Sequence, residues 1–343
     1  MKLKIAIIGF GVVGQGLARH LISKKQYLRS RYNIDCDVVA ICDLKHGSII
    51  CDSGVDLVKV LRLIDYGRRI DEYEGVARGF SALEVIDQTT ADIIVEATWT
   101  NLETGEPGLT HIKRSLERGI HVVTSNKGPI ALAYKELRRI AESKGVFLRF
   151  EATVMSGTPA INLGLECLAG AEIKCLRGIL NGTTNYILTE MGRGVDYIEA
   201  LRKAQELGYA EADPTADVEA WDPVAKIVIL SNVLMNGDLR IKDVERRGIT
   251  NISLKDIDEA KRRSKVIKLI AKAEKIDGRI TASVKPEEIP LTDPLAHVDG
   301  VLNALTYVTD VQGDVTIIGP GAGGDSAGYA LLSDILAIAH YIT

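Results

Sequence analysis

The chain has 343 residues, 46% hydrophobic and 26% charged, which is enough for two domains with separate cores and too apolar for a disordered polypeptide. A net charge of −4 and a pI near 5.9 argue against a nucleic-acid partner, because no basic excess exists to neutralise phosphates. The five cysteines (Cys36, Cys42, Cys51, Cys167 and Cys175) are odd in number and never spaced as CxxC, so they fit reduced thiols in a cytoplasmic protein and give no zinc or redox motif.

The N-terminal MKLKIAIIGFGVVGQGLA superficially resembles a signal peptide. Gly9, Gly11, Gly14, Gly16 and Gln15 punctuate the apolar run, however, so a buried strand followed by a glycine turn explains it better. No stretch of about 18 apolar residues occurs, and no membrane span is expected. Through residue 150, KIAIIG, DVVAIC, ADIIVEAT, HVVTSN and VFLRFEA read as buried parallel strands, brief and rich in β-branched residues. Amphipathic segments such as VVGQGLARHLISKK and LAYKELRRIAESK separate them. Strand alternating with helix predicts an α/β fold with a Rossmann-type doubly wound parallel sheet over residues 1–150.

The pattern changes beyond residue 150. Turn signals (SGTP, NGTTN and an acidic run), helical patterns at 222–236 and 254–275, and strands near 279–284 and 301–310 predict a second, mixed α+β domain over 151–317. The tail VTIIGPGAGGDSAGYALLSDILAIAH returns to strand, glycine turn and apolar helix, so residues 318–343 are expected to pack back on the first domain.

Gly9-Phe10-Gly11-Val12-Val13-Gly14 follows the first strand and opens the first helix, the setting in which GxGxxG binds a dinucleotide. Gly9 permits the tight turn, Gly11 the approach of a pyrophosphate, and Gly14 the close packing of helix on strand, while the helix N-terminus offers N–H groups to phosphate. Asp43, at the end of the second strand, is placed to hold a ribose hydroxyl, or it is simply a strand-end aspartate that starts a turn. Lys45 and His46 beside it suit a 2′-phosphate, so the sequence points both to NAD and to NADP. Further polar groups follow the fourth strand (Thr98, Asn101) and the fifth (Ser125, Asn126, Lys127), at strand ends where ligands bind in open α/β sheets.

The run GYAEADPTADVEAWDPVAK gathers Glu211, Asp213, Asp217, Glu219 and Asp222 before Lys226. Asp222-Pro223 reads as the N-cap and first residue of an apolar helix, with Lys226 one turn on and its stem among Ala225, Ile227, Val228 and Ile229. A buried lysine beside a carboxylate is equipped to exchange a proton with a substrate hydroxyl, and Glu211, Asp213 and Asp217 suit an ammonium group on the ligand. A capped helix with a snorkelling lysine is the structural alternative.

Taken in order, GFGVVG, TWTN, TSNKG, EATVMSGTP, GILNGTTNYIL, GYAEADPTADVEAWDPVAK and GPGAGG resemble the motifs of homoserine dehydrogenase over essentially the whole chain. The resemblance implies reversible oxidation of L-homoserine to L-aspartate 4-semialdehyde with NAD(P), in threonine and methionine biosynthesis. It implies that Lys226 exchanges the proton of the substrate oxygen, that Asp222 supports it, and that Lys127 is a second essential lysine near the hydride-transfer centre. It further implies that Glu211 and Asp217 grip the amino acid, helped by Asn181, Gly182, Thr183 and Tyr209. Thr98, Asn101, Ser125 and Asn126 fall near the nicotinamide ribose, and Gly321 of GPGAGG falls beside the cofactor. A sodium- or potassium-type cation, held mostly by main-chain carbonyls at Glu151, Val154, Ser156 and Thr158, and a homodimer formed through the second domain are also implied.

Trp99 and Trp221 depart from the family pattern, as does the start of the last helix, GGDSAGYALLSDIL. Neither a fused aspartate-kinase domain nor a C-terminal regulatory domain is expected, and with that weak or absent threonine feedback. Three other readings compete, of which a sugar-type oxidoreductase with a lysine after the fifth strand would not need an acidic grip for an ammonium group. A phosphorylating semialdehyde dehydrogenase needs an activated cysteine, but Cys167 and Cys175 have no nearby histidine. A dinucleotide-binding redox sensor without turnover would not need Lys127 and Lys226.

Overall fold

The computed structural model describes residues 1–342. Backbone contacts divide them into two compact units: Met1–Gly157 together with the segment from Gly323, and Thr158–Ala322.

The first unit is built on β1 (Lys2–Ile8), β2 (Asp35–Asp43), β3 (Gly47–Ile50), β4 (Ala77–Arg78), β5 (Ile93–Glu96), β6 (His121–Thr124) and β7 (Leu148–Arg149), in the spatial order β4-β3-β2-β1-β5-β6-β7. Pairing is parallel from β2 through β1, β5 and β6 to β7. The expected strands form, but VFLRFEA shortens to Leu148–Arg149 because Thr153 folds back on the Phe150 carbonyl through both its N–H (3.0 Å) and its hydroxyl (2.7 Å). Antiparallel β3 and β4 extend the sheet beyond the prediction; four and two residues are too few to establish a period.

β-branched residues fill the interior of this sheet, with Ile5, Ile7, Ile93, Val95 and Val123 wholly buried. The C-terminal helix Gly324–Ile342 adds Leu331, Ile335 and Ile338 to the same core. It lies against helix Val12–Ser23 at glycine contacts. A Cβ on Gly16 would stand 2.5 Å from the Gly324 carbonyl oxygen, and one on Gly328 would collide with the Leu17 amide.

The second unit carries β8 (Ile173–Ile179), β9 (Glu245–Arg246), β10 (Lys265–Ile276), β11 (Arg279–Pro290), β12 (Leu302–Thr309) and β13 (Asp314–Pro320), ordered β13-β12-β8-β10-β11-β9. Ile179, Ile270, Ile289, Leu295 and Ala304 form one of its cores. The helix expected over 254–275 is corrected. A helix covers only Leu254–Arg262, Ser264 takes φ 55°, and Lys265–Ile276 is strand β10. The pattern VIKLIAKAEKI fits either period, and a twelve-residue antiparallel pairing with β11 decides it. Asp277 (φ 48°) and Gly278 (φ 79°) close that hairpin, both left-handed as a two-residue type I′ turn requires.

Candidate active site

The glycine turn joins β1 to helix Val12–Ser23. Gly9 has φ 93° and donates its N–H to the Cys42 carbonyl (2.7 Å), and a side chain there would collide with the Ala97 carbonyl. A Cβ on Gly14 would meet the Gly9 carbonyl, whereas the same atom on Gly11 would have open space around it. No side chain caps the helix, no acidic residue occupies its first turn, and Val12 is well exposed. An open, uncapped helix start behind a glycine that leaves room for the ligand suits a dinucleotide pyrophosphate.

Asp43 ties this turn to the one after β2. Its Oδ2 accepts from the Phe10 amide (2.8 Å), and its Oδ1 accepts from the amides of Lys45 (2.9 Å) and His46 (3.0 Å). Asp43 is thus a turn-former that stands beside the glycine loop. Lys45 is exposed.

At the ends of β5 and β6 a polar cluster is closed off from solvent. Glu96 is fully buried; it accepts from the Thr98 amide (3.1 Å) and hydroxyl and from the Thr124 hydroxyl (3.1 Å). Asn126 receives the Gly128 amide on Oδ1 (3.2 Å), which caps helix Lys127–Lys144 and makes Lys127 its first residue. The Asn126 Nδ2 donates to the Trp99 carbonyl (3.0 Å) and toward the Thr98 hydroxyl (3.4 Å). Asn101 folds its own loop, with Oδ1 accepting from the amides of Glu103 (2.9 Å) and Thr104 (3.0 Å). Ser125 is half-buried between these groups in sequence, and Trp99 is largely exposed.

In the second unit the acidic segment folds onto helix Trp221–Leu234. The sequence assigned Asp222 as its N-cap, and the structure corrects that. Ala220 caps the helix with φ 65°, and Asp222 lies inside the first turn. The shift frees the carboxylate from capping and turns it to Lys226, whose Nζ is 2.7 Å from Asp222 Oδ2 and donates to the Leu180 carbonyl (2.7 Å). Lys226 is 6% exposed, among wholly buried Ala225, Ile227, Val228 and Ile229. Asn181 Nδ2 bridges Asp217 Oδ1 (2.7 Å) and Asp222 Oδ2 (3.0 Å), and Asn181 Oδ1 caps helix Gly182–Gly192 through the Thr184 amide (2.9 Å). Thr183 donates to the Tyr209 carbonyl (2.6 Å), and a Cβ on Gly182 would lie 2.7 Å from the Val301 carbonyl. Burial pushes the Asp217 carboxyl above the ordinary aspartate value, hydrogen bonds from Asn181 and Thr183 oppose that, and the neighbouring Asp222 charge adds to it.

Lys226, Asp222, Asn181, Asp217 and Thr183 therefore converge, while Glu211 is exposed and Asp213 caps a neighbouring turn through the Thr215 amide (3.1 Å). The Leu180 carbonyl went unseen in the sequence, because a carbonyl has no side-chain signal; Asn181 was expected beside the substrate, but not its bridge between the two carboxylates.

Glu151, Val154 and Ser156 are buried in the first unit, Ser156 with φ 53° and its hydroxyl on the Gly323 carbonyl (3.3 Å). Thr158 opens the second unit and donates to the Pro320 carbonyl (2.9 Å). Among the described residues no group of three or more His, Cys, Asp or Glu is placed to hold a metal. Gly321 is required to be glycine, because the Asn303 side chain fills the space a Cβ would take.

Two family profiles match the chain: homoserine dehydrogenase over residues 159–336, and the homoserine dehydrogenase NAD-binding domain over 9–151. Homoserine dehydrogenase of Methanocaldococcus jannaschii is 45% identical, over 98% of each chain. An NAD(+)-dependent homoserine dehydrogenase of Pseudomonas canavaninivorans is 42% identical, over 98% of this chain and 96% of its own. The structure of a hyperthermophilic archaeal homoserine dehydrogenase in complex with NADPH superposes with a TM-score of 0.84 at 30% identity, over 99% and 98% of the two chains. With the glycine turn and the lysine–carboxylate pair in place, the chain belongs to the homoserine dehydrogenase family.

Proposed function

We propose that Lys226 is the base in the oxidation of L-homoserine to L-aspartate 4-semialdehyde by this NAD(P)-dependent oxidoreductase. The observation that carries this reading is the 2.7 Å contact between a buried ammonium nitrogen and Asp222, fixed by the Leu180 carbonyl. A neutral Lys226 takes the proton of the substrate hydroxyl, and the protonated amine is stabilised by Asp222 and the Leu180 carbonyl. Asn181 holds Asp222 and Asp217 at a fixed separation, and Asp217 with Glu211 receives the substrate ammonium group. Gly182, Thr183 and Tyr209 shape the backbone around the amino acid.

NAD(P), held at Gly9, Phe10, Gly11, Val12, Val13 and Gly14 with Asp43, Lys45, Thr98, Asn101, Ser125, Asn126 and Gly321, supplies the hydride acceptor. Lys127 opens a helix at the polar end of β6 and acts as the second lysine of the reaction. Relatives divide between NAD(+) and NADPH by name, and Asp43 with Lys45 offers a partner for either ribose substituent. A monovalent cation at the carbonyls of Glu151, Val154, Ser156 and Thr158, a homodimer formed through the second unit and a cytoplasmic setting complete the reading.

The test is absorbance at 340 nm with L-homoserine at alkaline pH, using NAD and NADP separately, on wild type and Lys226→Met. Reduction of at least one cofactor by wild type is expected, with kcat lower by about 10²–10⁴-fold in the variant and KM nearly unchanged. An unchanged kcat in folded Lys226→Met would remove Lys226 from the chemistry. Wild-type activity that does not respond to replacing sodium and potassium by a bulky organic cation would remove the metal.

A further inference from the structure

Glu96 ends β5 behind three wholly buried residues, Ile93, Ile94 and Val95, and is itself 0% exposed. A carboxylate in such a place loses its hydration, and it persists only where donors replace the water. The donors here are specific. Oε1 receives the amide and hydroxyl of Thr98, Oε2 faces the Thr124 hydroxyl, and His111 Nδ1 stands 3.6 Å from Oε1. That ring nitrogen is buried and has no hydrogen-bond partner among the described residues.

Two arms lead from Glu96 to one side chain. The Thr124 hydroxyl accepts the Asn126 amide (2.9 Å), and the Thr98 hydroxyl receives Asn126 Nδ2 (3.4 Å). Asn126 in turn caps the helix whose first residue is Lys127 and holds the Trp99 carbonyl. Helix Gly108–Glu117, which carries His111, closes the cluster. Its first residue must be glycine, since a Cβ there would stand 2.5 Å from Asn126 Nδ2 and 3.1 Å from Glu96 Oε2. Asp43 holds the Phe10 amide away from this network, while Gly9 packs against the Ala97–Thr98 backbone that borders it.

We infer that Glu96 is a positioning residue for the oxidoreductase reaction: acting through Thr98, Thr124 and Asn126, it sets the direction of Lys127 and of the Trp99 loop. The inference rests on the reading that Lys127 takes part in the reaction. A carboxylate suits the post because it only accepts hydrogen bonds: the Thr98 amide and hydroxyl both turn their hydrogens to it, and the Thr124 hydroxyl is shared between Oε2 and the Glu96 main-chain carbonyl (2.9 Å). A glutamine of the same shape presents an NH2 group to one of these donors and breaks that order.

The experiment compares Glu96→Gln, Thr124→Val, Lys127→Met and the double variant Glu96→Gln/Lys127→Met with wild type. It measures kcat and KM for homoserine, and dinucleotide dissociation constants by calorimetry on the protein without homoserine. Glu96→Gln is expected to lower kcat tenfold or more, leave KM for homoserine within about threefold and weaken dinucleotide binding far less than it lowers kcat. Thr124→Val repeats the effect with Glu96 intact. Adding Glu96→Gln to Lys127→Met should cost little more, because residues acting as a unit are not additive. An unchanged kcat in both Glu96→Gln and Thr124→Val overturns the inference. So does a double variant in which the two losses multiply, since Glu96 would then act by another route. Lys127→Met with wild-type kcat is a separate failure, of the reading of Lys127 itself. Loss of dinucleotide affinity in step with kcat would assign Glu96 to cofactor binding alone and overturn the positioning role.

Discussion

Replacing Asp217 by asparagine is expected to separate binding from stability. Burial raises the folded carboxyl pKa above its unfolded value, so protonation favours the folded state and the contribution is lost as pH rises through the folded pKa. At neutral pH the charge is therefore a cost to folding, and Asp217→Asn should raise the melting temperature. It should also raise the homoserine KM about ten- to a hundredfold, the loss of a charge-assisted hydrogen bond of about 1.5–3 kcal/mol. A lower melting temperature would show that Asn181 and Thr183 outweigh the burial. At this scale the sequence revealed the pair itself, because the spacing of Asp222 and Lys226 is one helical turn. It did not reveal how Asp222 is freed, since the cap is Ala220 at φ 65°, a conformation its residue type does not announce.

The elements show where periodicity stops being informative. The glycine turn was legible because glycines at three fixed positions have separate steric reasons to be there. Gly9→Ala is expected to cost about 1–3 kcal/mol in backbone strain and to abolish dinucleotide binding, measured by urea unfolding and calorimetry. Strand β10 was not legible, since its lysines fall at helical spacing. One of them, Lys268, is 3% exposed and donates to Asn185 Oδ1 (3.1 Å), the Val298 carbonyl (2.6 Å) and Asp299 (3.0 Å). Burial lowers its pKa against the pull of Asp299. It anchors the loop that carries Val301, against which Gly182 is pressed. Lys268→Met leaves buried acceptors without a donor, so a loss of about 1–3 kcal/mol in urea unfolding is expected. An unchanged midpoint would mean that the loop is held by its apolar residues alone.

For the whole molecule, a homodimer predicts a mass of two chains by light scattering at micromolar concentration, and a single-chain mass would remove that part of the reading. The second sheet ends on β13, an edge strand with Ile318 half exposed, which is the kind of surface a partner covers. The Rossmann-type order was readable because strand and helix alternate along the chain. The return of the last helix to the first unit left only a weak trace, an apolar run after a glycine turn, since a contact between positions 16 and 324 has no local signal. That contact has a consequence for biosynthesis. As the polypeptide leaves the ribosome, the face of helix Val12–Ser23 that carries Gly16 and Leu17 must wait for the entire second unit to be translated before its cover arrives. The nascent first unit thus has an apolar seam open to chaperones for many seconds at ordinary elongation rates of about 5–20 residues per second, and cofactor added to stalled chains lacking the final helix should meet an unfinished fold.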